Sequence, residues 1–409
     1  MEVMGMGAVA DEAAGLELLE SDGMREPLEL AVKTIGGSVR EWRLSKLQHR
    51  PGAGATGIFS VEVAFADRPD RTEYVCVTSA NVPECGLPMV RLQGGGTNLT
   101  AWLYPGDPVL VGLAAACDAA AVAQVAFGGG TAELRMVNYR PLRRAVLTAV
   151  QGDKRVFVKV VRPDRAAALL RRHRMLIDAG IPAPEAMAGP ADGVVVLREV
   201  PGIALAEALM DDGARDLDPQ SLINLLHQLP VDALKLSRRP AWAERSTDYA
   251  KAAAAVLPGE QERIFRLAER IARLVAVTEA GPVVPTHGDF YEANILADGG
   301  RITGLLDVDS LGPGHLVDDL ACFIGHLAVL PAVHSAYVHI PQAMERFLQV
   351  FDREVDPAGL RGRAAGVALS LVAGAKTAGS QDWEPDALQR LAAAEELAAA
   401  ADQLSEASR

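Results

Sequence analysis

Residues 287–294 read His-Gly-Asp-Phe-Tyr-Glu-Ala-Asn, and an apolar run from Ile302 to Leu306 follows and ends at Asp307. Between these segments, Asp298-Gly299-Gly300-Arg301 has the composition of a hairpin turn. The pattern therefore predicts two paired strands, one leaving Asn294 and one returning to Asp307. Asn294 and Asp307 would then lie close together at one end of the hairpin.

The residue types at this end of the hairpin suit phosphoryl transfer from ATP. In that chemistry one carboxylate lies beside the acceptor hydroxyl, while an amide oxygen and a second carboxylate hold Mg²⁺ on the triphosphate. We therefore predict that Asp289 is the catalytic base and that Asn294 and Asp307 bind the metal. Asp309 has two open interpretations, a ligand of a second Mg²⁺ or a solvated carboxylate in a turn.

An apolar strand upstream, Val156 to Val161, carries Lys159 in its middle. Because an ammonium group is costly to bury without an anionic partner, we predict that Lys159 binds the nucleotide phosphates. The alternative is a lysine on an edge strand that faces solvent. An earlier turn, Tyr139 to Arg144, is basic, although a turn that covers phosphates should be rich in glycine. Arg144 and its basic neighbours either contact the phosphates or form a solvated hairpin tip.

These motifs resemble those of the aminoglycoside phosphotransferase and choline kinase-like family, small-molecule relatives of protein kinases. That family shows His-Gly-Asp-x₄-Asn, then Ile-Asp, then Gly-Asp-Pro-x-x-Asp-Leu-Ala, and residues 312–321 read Gly-Pro-Gly-His-Leu-Val-Asp-Asp-Leu-Ala. The resemblance implies an α+β, bilobal, protein-kinase-like fold and the use of ATP and Mg²⁺. It also implies that His287 and Asp319 brace the catalytic loop, with Asp319 capping the start of a helix.

The resemblance extends to the connection between the lobes. Residues 164–179 are predicted to be helical, but the family's acidic partner for the strand lysine is missing between Arg165 and Ile177. Two alternatives stay open for the partner of Lys159. Either His173 accepts a hydrogen bond from its ammonium, or the ammonium pairs directly with phosphate or with the region around Asp307. Residues 194–202 resemble the strand and hinge of the family, so the main chain of Glu199 and Val200 is expected to face the adenine.

Residues 1–126 are additional to a minimal kinase, and they contain a weak internal echo. Residues 48–52 resemble 138–142, and 74–77 resemble 157–160, so Cys76 would stand where Lys159 stands; a chance match is the alternative. A non-catalytic β-rich cap of this kind is similar to that of maltokinase-like enzymes. We therefore predict a cap subdomain over 1–126, a kinase N-lobe and hinge over 127–202 and a helical C-lobe over 203–409.

A polar loop near the carboxyl end, Gln381-Asp382-Trp383-Glu384, lies between two predicted helices. A tryptophan among amide and carboxylate groups suits a sugar ring, whose C–H faces pack on aromatic rings. We predict these four residues as substrate-binding; the alternative is a helix cap at Asp382 with Trp383 packed as a lid. With the cap and the catalytic motif, the loop is similar to that of actinobacterial glucosamine kinases. The expected substrate is therefore a sugar or amino sugar, most of all glucosamine.

The composition limits the classes of partner. Forty basic and 53 acidic residues give a net charge of −13, which argues against nucleic acid or an anionic membrane as partner. The four cysteines lack the spacing of a metal site and are expected to be reduced. The amino terminus is acidic and has no long apolar run, so we expect neither a secretory signal nor a membrane span there. We expect a monomeric cytoplasmic enzyme. An aminoglycoside phosphotransferase, or another sugar kinase such as a maltokinase, is the alternative function; a regulatory pseudokinase is disfavoured because the catalytic residues are present.

Overall fold

The computed structural model of this chain describes Gly15 and residues 17–50, 54–94, 97–377 and 383–407. The chain forms two compact units, Met1–Leu170 with Ala186–Glu199, and Arg171–Glu185 with Val200–Arg409. The first unit holds two antiparallel sheets and the second is mostly helical. The predicted α+β class, with a β-rich amino-terminal part and a helical carboxyl-terminal part, is confirmed.

The two sheets of the first unit each have five strands and share one strand order. The first sheet runs β1-β2-β3-β5-β4, and the second runs β6-β7-β8-β10-β9. The strands of the first sheet are β1 (Gly37–Arg50), β2 (Gly54–Phe65), β3 (Arg71–Thr78), β4 (Val90–Gly94) and β5 (Thr97–Leu103). Those of the second are β6 (Glu133–Arg140), β7 (Arg144–Gln151), β8 (Lys154–Val160), β9 (Ala186–Ala188) and β10 (Val194–Arg198). The echo in the sequence therefore has a counterpart in topology.

The strand register corrects one detail of that echo. Lys159 pairs with Val146, the third residue of β7. In the first sheet the third residue of β2 is Thr56, and its partner is Thr78. Thr78, and not Cys76, is therefore the counterpart of Lys159. The hydroxyl groups of Thr78 and Thr56 lie 2.7 Å apart and hydrogen-bond to each other, so the first sheet has a neutral pair at this position.

Helices fill the spaces around the first sheet. The apolar side chains of α1 (Arg25–Lys33) pack on one face of that sheet, against residues such as Phe59 and Val77. On its other face, Cys76 and Trp102 belong to a core that also includes Leu147 and Val158 of the second sheet. Two short helices, α2 (Leu113–Ala116) and α3 (Ala119–Phe127), contribute to that shared core. The two sheets are therefore joined by common apolar burial.

Helix α3 has clear sequence signals at both ends. The side chain of Asp118 accepts from the backbone N–H groups of Ala120 and Ala121, which would otherwise lack partners in the first turn. Gly128 ends the helix in the left-handed conformation, with φ of 85°. Helix α4 (Pro163–Asp178) follows the second sheet's β8 and matches the predicted helix over 164–179.

Within the described residues, the second unit contains nine complete α-helices besides the carboxyl-terminal half of α4. They are α5 (Leu205–Asp212), α6 (Pro219–His227), α7 (Ser246–Val256), α8 (Gln261–Val277), α9 (Leu316–Val333), α10 (Ile340–Phe351), α11 (Pro357–Val372), α12 (Gly374–Thr377) and α13 (Trp383–Ala407). Helix α9 is long and apolar enough to span a membrane by length and composition alone, but 61% of it is buried inside the protein. It packs as a core helix, with Phe323 against Phe347 and Phe351 of α10.

Two small sheets of the second unit carry the motif residues. The first has the order β11-β13-β14, with β11 (Ile203–Ala204), β13 (Ile295–Asp298) and β14 (Arg301–Leu305). The second pairs β12 (Val283–Thr286) with β15 (Gly312–His315). The sequence predicted the paired strands β13 and β14. It did not indicate β15, since Gly-Pro-Gly-His has low strand propensity and forms a strand only by pairing with β12.

Candidate active site

The predicted hairpin brings two motif residues to one end. Ile295 pairs with Leu305 across β13 and β14. One step beyond, the backbone N–H of Leu306 donates to the carbonyl oxygen of Asn294 at 2.8 Å. Asn294 and Asp307, the two predicted metal ligands, therefore lie on adjacent chain segments.

Asn294 is also tied to the predicted catalytic base. Its side-chain Nδ2 donates to the backbone oxygen of Asp289 at 2.9 Å, and the residue is buried, with 6% exposure. Since the NH₂ group is committed to this bond, Oδ1 is the atom that the amide can offer to a cation. The backbone of Asp307 adopts a left-handed conformation, with φ of 53° and ψ of 52°. Residues other than glycine rarely adopt this conformation, and those that do are concentrated at functional sites.

The start of the catalytic loop is held by a buried carboxylate. Asp319 accepts from the backbone N–H of His287 at 2.7 Å and from that of Gly288 at 2.8 Å. Burial raises the pKa of Asp319 to about 7, and the two backbone hydrogen bonds oppose that rise. The predicted bracing role matches this geometry. The predicted capping role is wrong, because His315 is at the N-cap of α9 and makes no side-chain cap bond there.

His287 and Gly288 fix the loop from two further directions. The Nε2 of His287 donates to the backbone oxygen of Leu306 at 2.9 Å, which joins the loop to the segment before Asp307. Gly288 has φ of 78°, and a Cβ atom there would lie 2.8 Å from the backbone oxygen of Ser310. Only glycine satisfies both conditions at this position.

Sequence reasoning missed a buried ion pair next to Asp319, the residue that holds the catalytic loop. Asp318, the neighbour of Asp319, lies 3.3 Å from the guanidinium of Arg363 on α11. Both side chains are largely buried, and Arg363 also donates to Thr278 at 3.0 Å. A basic residue in an Ala- and Gly-rich helix was the available signal, but nothing in local spacing assigns its partner.

A second missed group lies within the motif itself. Glu292 is buried, with 4% exposure, and within the described residues its Oε2 has no hydrogen-bond partner. Burial raises its pKa to about 7. The ring of Tyr291 stacks on that of His326, with centroids 4.0 Å apart. Burial raises the pKa of Tyr291, and the carboxylates of Asp289 and Asp307 add to that rise, so Tyr291 lies within their field.

The predicted nucleotide residues lie mainly in the first unit. Lys159 is on β8, between Val146 on β7 and Val195 on β10, and is only 5% exposed. Because β8 is the central strand of its sheet, the edge-strand alternative is wrong. Arg144 begins β7 opposite Arg140.

At the predicted hinge, Glu199 forms an exposed ion pair with Arg155, with atoms 3.1 Å apart. The adenine contact expected from the main chain of Glu199 and Val200 stays a prediction. Val200 follows directly and begins the chain's return to the second unit.

The donor set at the hairpin fits one kind of metal ion. No group of three or more His, Cys, Asp or Glu residues with metal-binding geometry occurs in the part of the chain that the structure describes. A transition-metal centre is therefore not supported by those residues. One amide oxygen and one carboxylate suit Mg²⁺, which keeps several waters and takes other ligands from substrate phosphates.

The predicted acceptor loop is described in part. Gln381 and Asp382 lie outside the described residues. Trp383 and Glu384 form the first turn of α13, and Glu384 is exposed. The ammonium of Lys376 lies 5.4 Å from the centroid of the Trp383 ring, so one face of that ring holds a cation.

Several solved structures are similar to this chain at low sequence identity. A thermostable mutant of aminoglycoside phosphotransferase APH(4)-Ia is 14% identical, with 68% of this chain and 97% of that chain covered and a TM-score of 0.48. Plasmodium vivax ethanolamine kinase is 14% identical, with 64% and 82% covered and a TM-score of 0.45. Macrolide 2'-phosphotransferase MphH from Brachybacterium faecium is 20% identical, with 66% and 96% covered and a TM-score of 0.39.

No curated protein matches the chain in sequence. The family model described as "Phosphotransferase enzyme family" does match it, over residues 142–351. The matched range contains Lys159, the catalytic loop and the Asp307 hairpin, the same residues that the geometry singles out. The chain belongs to the phosphotransferase enzyme family and is a small-molecule kinase with a hydroxyl group as acceptor.

Proposed function

We propose that this enzyme is an ATP- and Mg²⁺-dependent sugar kinase that transfers the γ-phosphate to the 6-hydroxyl of glucosamine. The observation that carries the kinase chemistry is the bond from Asn294 Nδ2 to the backbone oxygen of Asp289, 2.9 Å long. It holds a carboxylate suited to the acceptor and an amide suited to the metal in one short loop. Asp307 follows on the adjacent strand end.

In this proposal Asp289 accepts the proton of the acceptor hydroxyl as the oxygen attacks the γ-phosphorus, and the bond from that phosphorus to the bridging oxygen breaks to release ADP. A positioned base of this kind contributes roughly 10²–10⁴ in rate. Asn294 and Asp307 would hold Mg²⁺, which when bound neutralises charge on the triphosphate oxygens. Lys159, buried in the centre of its sheet, supplies a cation for the nucleotide phosphates.

The amino sugar is supported by the first turn of α13. Trp383 has an aromatic ring suited to cation–π contact, since the ammonium of Lys376 lies 5.4 Å from its centroid. Glu384 lies next to it and is exposed, so its carboxylate can meet a ligand from solvent. An aminated sugar ring matches this pair, since its C–H face can stack and its ammonium can pair with the carboxylate.

An acceptor screen tests the proposal. ADP release from ATP is measured with glucosamine, glucose, N-acetylglucosamine, maltose and a set of aminoglycosides, and the product is identified by phosphorus NMR. We expect the highest kcat/KM with glucosamine and a phosphate on its 6-oxygen. Glucose is the matched control, because it keeps the ring and has a neutral hydroxyl in place of the ammonium. Preference for an aminoglycoside would replace the glucosamine assignment, and absence of ADP release with every acceptor would contradict the sugar-kinase proposal.

A further inference from the structure

The hairpin turn between β6 and β7 has an unusual residue at its tip. The backbone N–H of Arg143 donates to the carbonyl oxygen of Arg140 at 3.0 Å, which closes a four-residue turn with Pro141 in its second position. Leu142, in the third position, has φ of 63°. A turn with this pattern favours glycine in the third position, because a side chain strains the left-handed backbone.

A carboxylate from another part of the first unit holds this strained turn. Asp107 is fully buried, and its Oδ2 accepts from the backbone N–H of Leu142 at 2.8 Å and from the hydroxyl of Tyr139 at 2.9 Å. Its Oδ1 accepts from the backbone N–H groups of Val109 and Leu110, both at 2.9 Å. One side chain therefore bonds to four donors, two in its own loop and two in the hairpin.

The first sheet adds a further bond to the same hairpin. The side-chain amide of Gln48, near the end of β1, donates to the backbone oxygen of Tyr139 at 3.2 Å. The side chain of Leu142 packs on the core that the two sheets share. The tip of the hairpin is thus anchored by residues from β1, from the loop after β5 and from the shared core.

From these contacts we infer that Asp107 is a positioning residue that sets the conformation of the β6–β7 turn for binding the triphosphate of ATP. The turn carries Arg140, Arg143 and Arg144. Pro141 has no N–H group, and the backbone N–H groups of Leu142 and Arg143 already bond to Asp107 and to Arg140. The shape of the turn therefore decides where the basic side chains lie. A buried carboxylate is costly to maintain unless all its bonds are made, and Asp107 makes them by fixing the turn.

The role rests on the proposed function, because it takes the turn to contact the nucleotide. It also assigns a role to the region before residue 126, whose sheet has no counterpart of the phosphate-binding Lys159. The first sheet, whose Thr78 replaces the phosphate lysine, would act on ATP only through the bonds that it and its following loop make to the hairpin.

Asp107→Asn tests the inference with little change in volume. We expect the Kd for Mg-ATP, measured by calorimetry, to rise about ten-fold. The kcat at saturating ATP and the KM for glucosamine should stay within about two-fold, because Asp289 and its loop belong to the other unit. Hydrogen exchange of the backbone amides of residues 139–144 should become faster. This second readout reports on the turn independently of nucleotide.

Asp118→Asn is the matched control. Asp118 also accepts two backbone N–H groups, at 2.9 and 3.0 Å, but in the first turn of α3 and without a bond to the hairpin. It should leave the Kd for Mg-ATP unchanged. An equal rise in both variants would overturn the inference, since the effect would then be general destabilisation. Faster exchange in Asp107→Asn with unchanged Kd would also overturn it.

Tyr139→Phe covers the case in which Asp107→Asn does not fold. It removes one of the two hairpin bonds to Oδ2 and keeps the aromatic ring that packs 5.4 Å from Tyr104. We expect a smaller rise in the Kd for Mg-ATP, of a few-fold. An unchanged Kd in this variant would count against the positioning role. Absence of Mg-ATP binding by the unaltered protein would instead contradict the proposed function itself.

Discussion

The side-chain amide of Asn294 donates to the backbone oxygen of Asp289 at 2.9 Å. The acceptor of this hydrogen bond is the main chain of Asp289, and the carboxylate of Asp289 takes no part in it. The carboxylate can therefore be altered without breaking the bond that positions Asn294. This separation makes the roles of the two side chains testable one at a time.

Asp289→Asn should lower kcat by at least ~10²-fold, because the amide cannot accept the proton of the acceptor hydroxyl. The Kd for ATP should stay near its original value, since the Asn294 bond to the backbone is retained. Steady-state kinetics and calorimetry on the same sample check both values. Turnover within a few-fold of the unaltered enzyme would rule out Asp289 as the base.

Asp307→Ala should abolish the Mg²⁺-dependent part of ATP binding, because it removes the carboxylate of the proposed pair of ligands. Calorimetry with and without Mg²⁺ measures that part directly. Asp298→Ala is the control, since Asp298 is exposed at the other end of the same hairpin. If the metal-dependent affinity survives in Asp307→Ala, the ligand lies elsewhere, and Asp309 is the next candidate.

Asp319→Asn should lower both the thermal midpoint and kcat. Two backbone N–H groups, of His287 and Gly288, bond to separate oxygens of Asp319, and an asparagine offers only one oxygen. A buried donor left without an acceptor costs about 1–3 kcal/mol. Differential scanning calorimetry and kinetics measure the two effects. Asp248→Asn, at an exposed position in the first turn of α7, is the control and should change neither.

Glu292→Gln should stabilise the protein in a pH-dependent way. Burial raises the pKa of Glu292 from 4.5 to about 7, so the folded protein binds this proton more tightly than the unfolded chain. The buried carboxyl therefore reduces stability as pH rises from about 4.5 to about 7, and the reduction is complete above pH 7. Its upper size is about 3 kcal/mol, from 1.36 kcal/mol for each pKa unit.

Thermal midpoints of Glu292→Gln and the unaltered protein at pH 5 and pH 8 measure this effect. We expect a higher midpoint for the variant at pH 8 and a much smaller difference at pH 5. Glu207→Gln is the control, because Glu207 is exposed and its charge acts on the same Tyr337. A difference of the same size at both pH values would show that the carboxyl is not protonated on burial.

Glu384→Gln should raise the KM for glucosamine roughly ten- to a hundred-fold, which corresponds to loss of one charge-assisted hydrogen bond. The KM for ATP should not change, and discrimination against glucose should narrow by a similar factor. Glu396→Gln, an exposed position further along α13, is the control. Unchanged kinetics with glucosamine in Glu384→Gln would leave Glu384 as part of the helix start only.

The sequence alone determined the features that depend on short spacing. The turn at residues 298–301 implied that β13 and β14 pair, and this placed Asn294 beside Asp307. The helical character predicted for residues 203–409 agrees with the helices of the second unit, such as α10. These features follow from local backbone preference and from burial of one face, which a sequence displays directly.

Only the tertiary structure decided the contacts between distant segments. Asp319 bonds to His287 and Asp107 to Leu142, pairs separated by 32 and 35 residues. The strand register made Thr78 the counterpart of Lys159. A shift of two residues keeps every side chain on the same face, so alternation of apolar residues could not distinguish Thr78 from Cys76. Burial and long-range pairing are set by how the elements pack, and no local pattern specifies them.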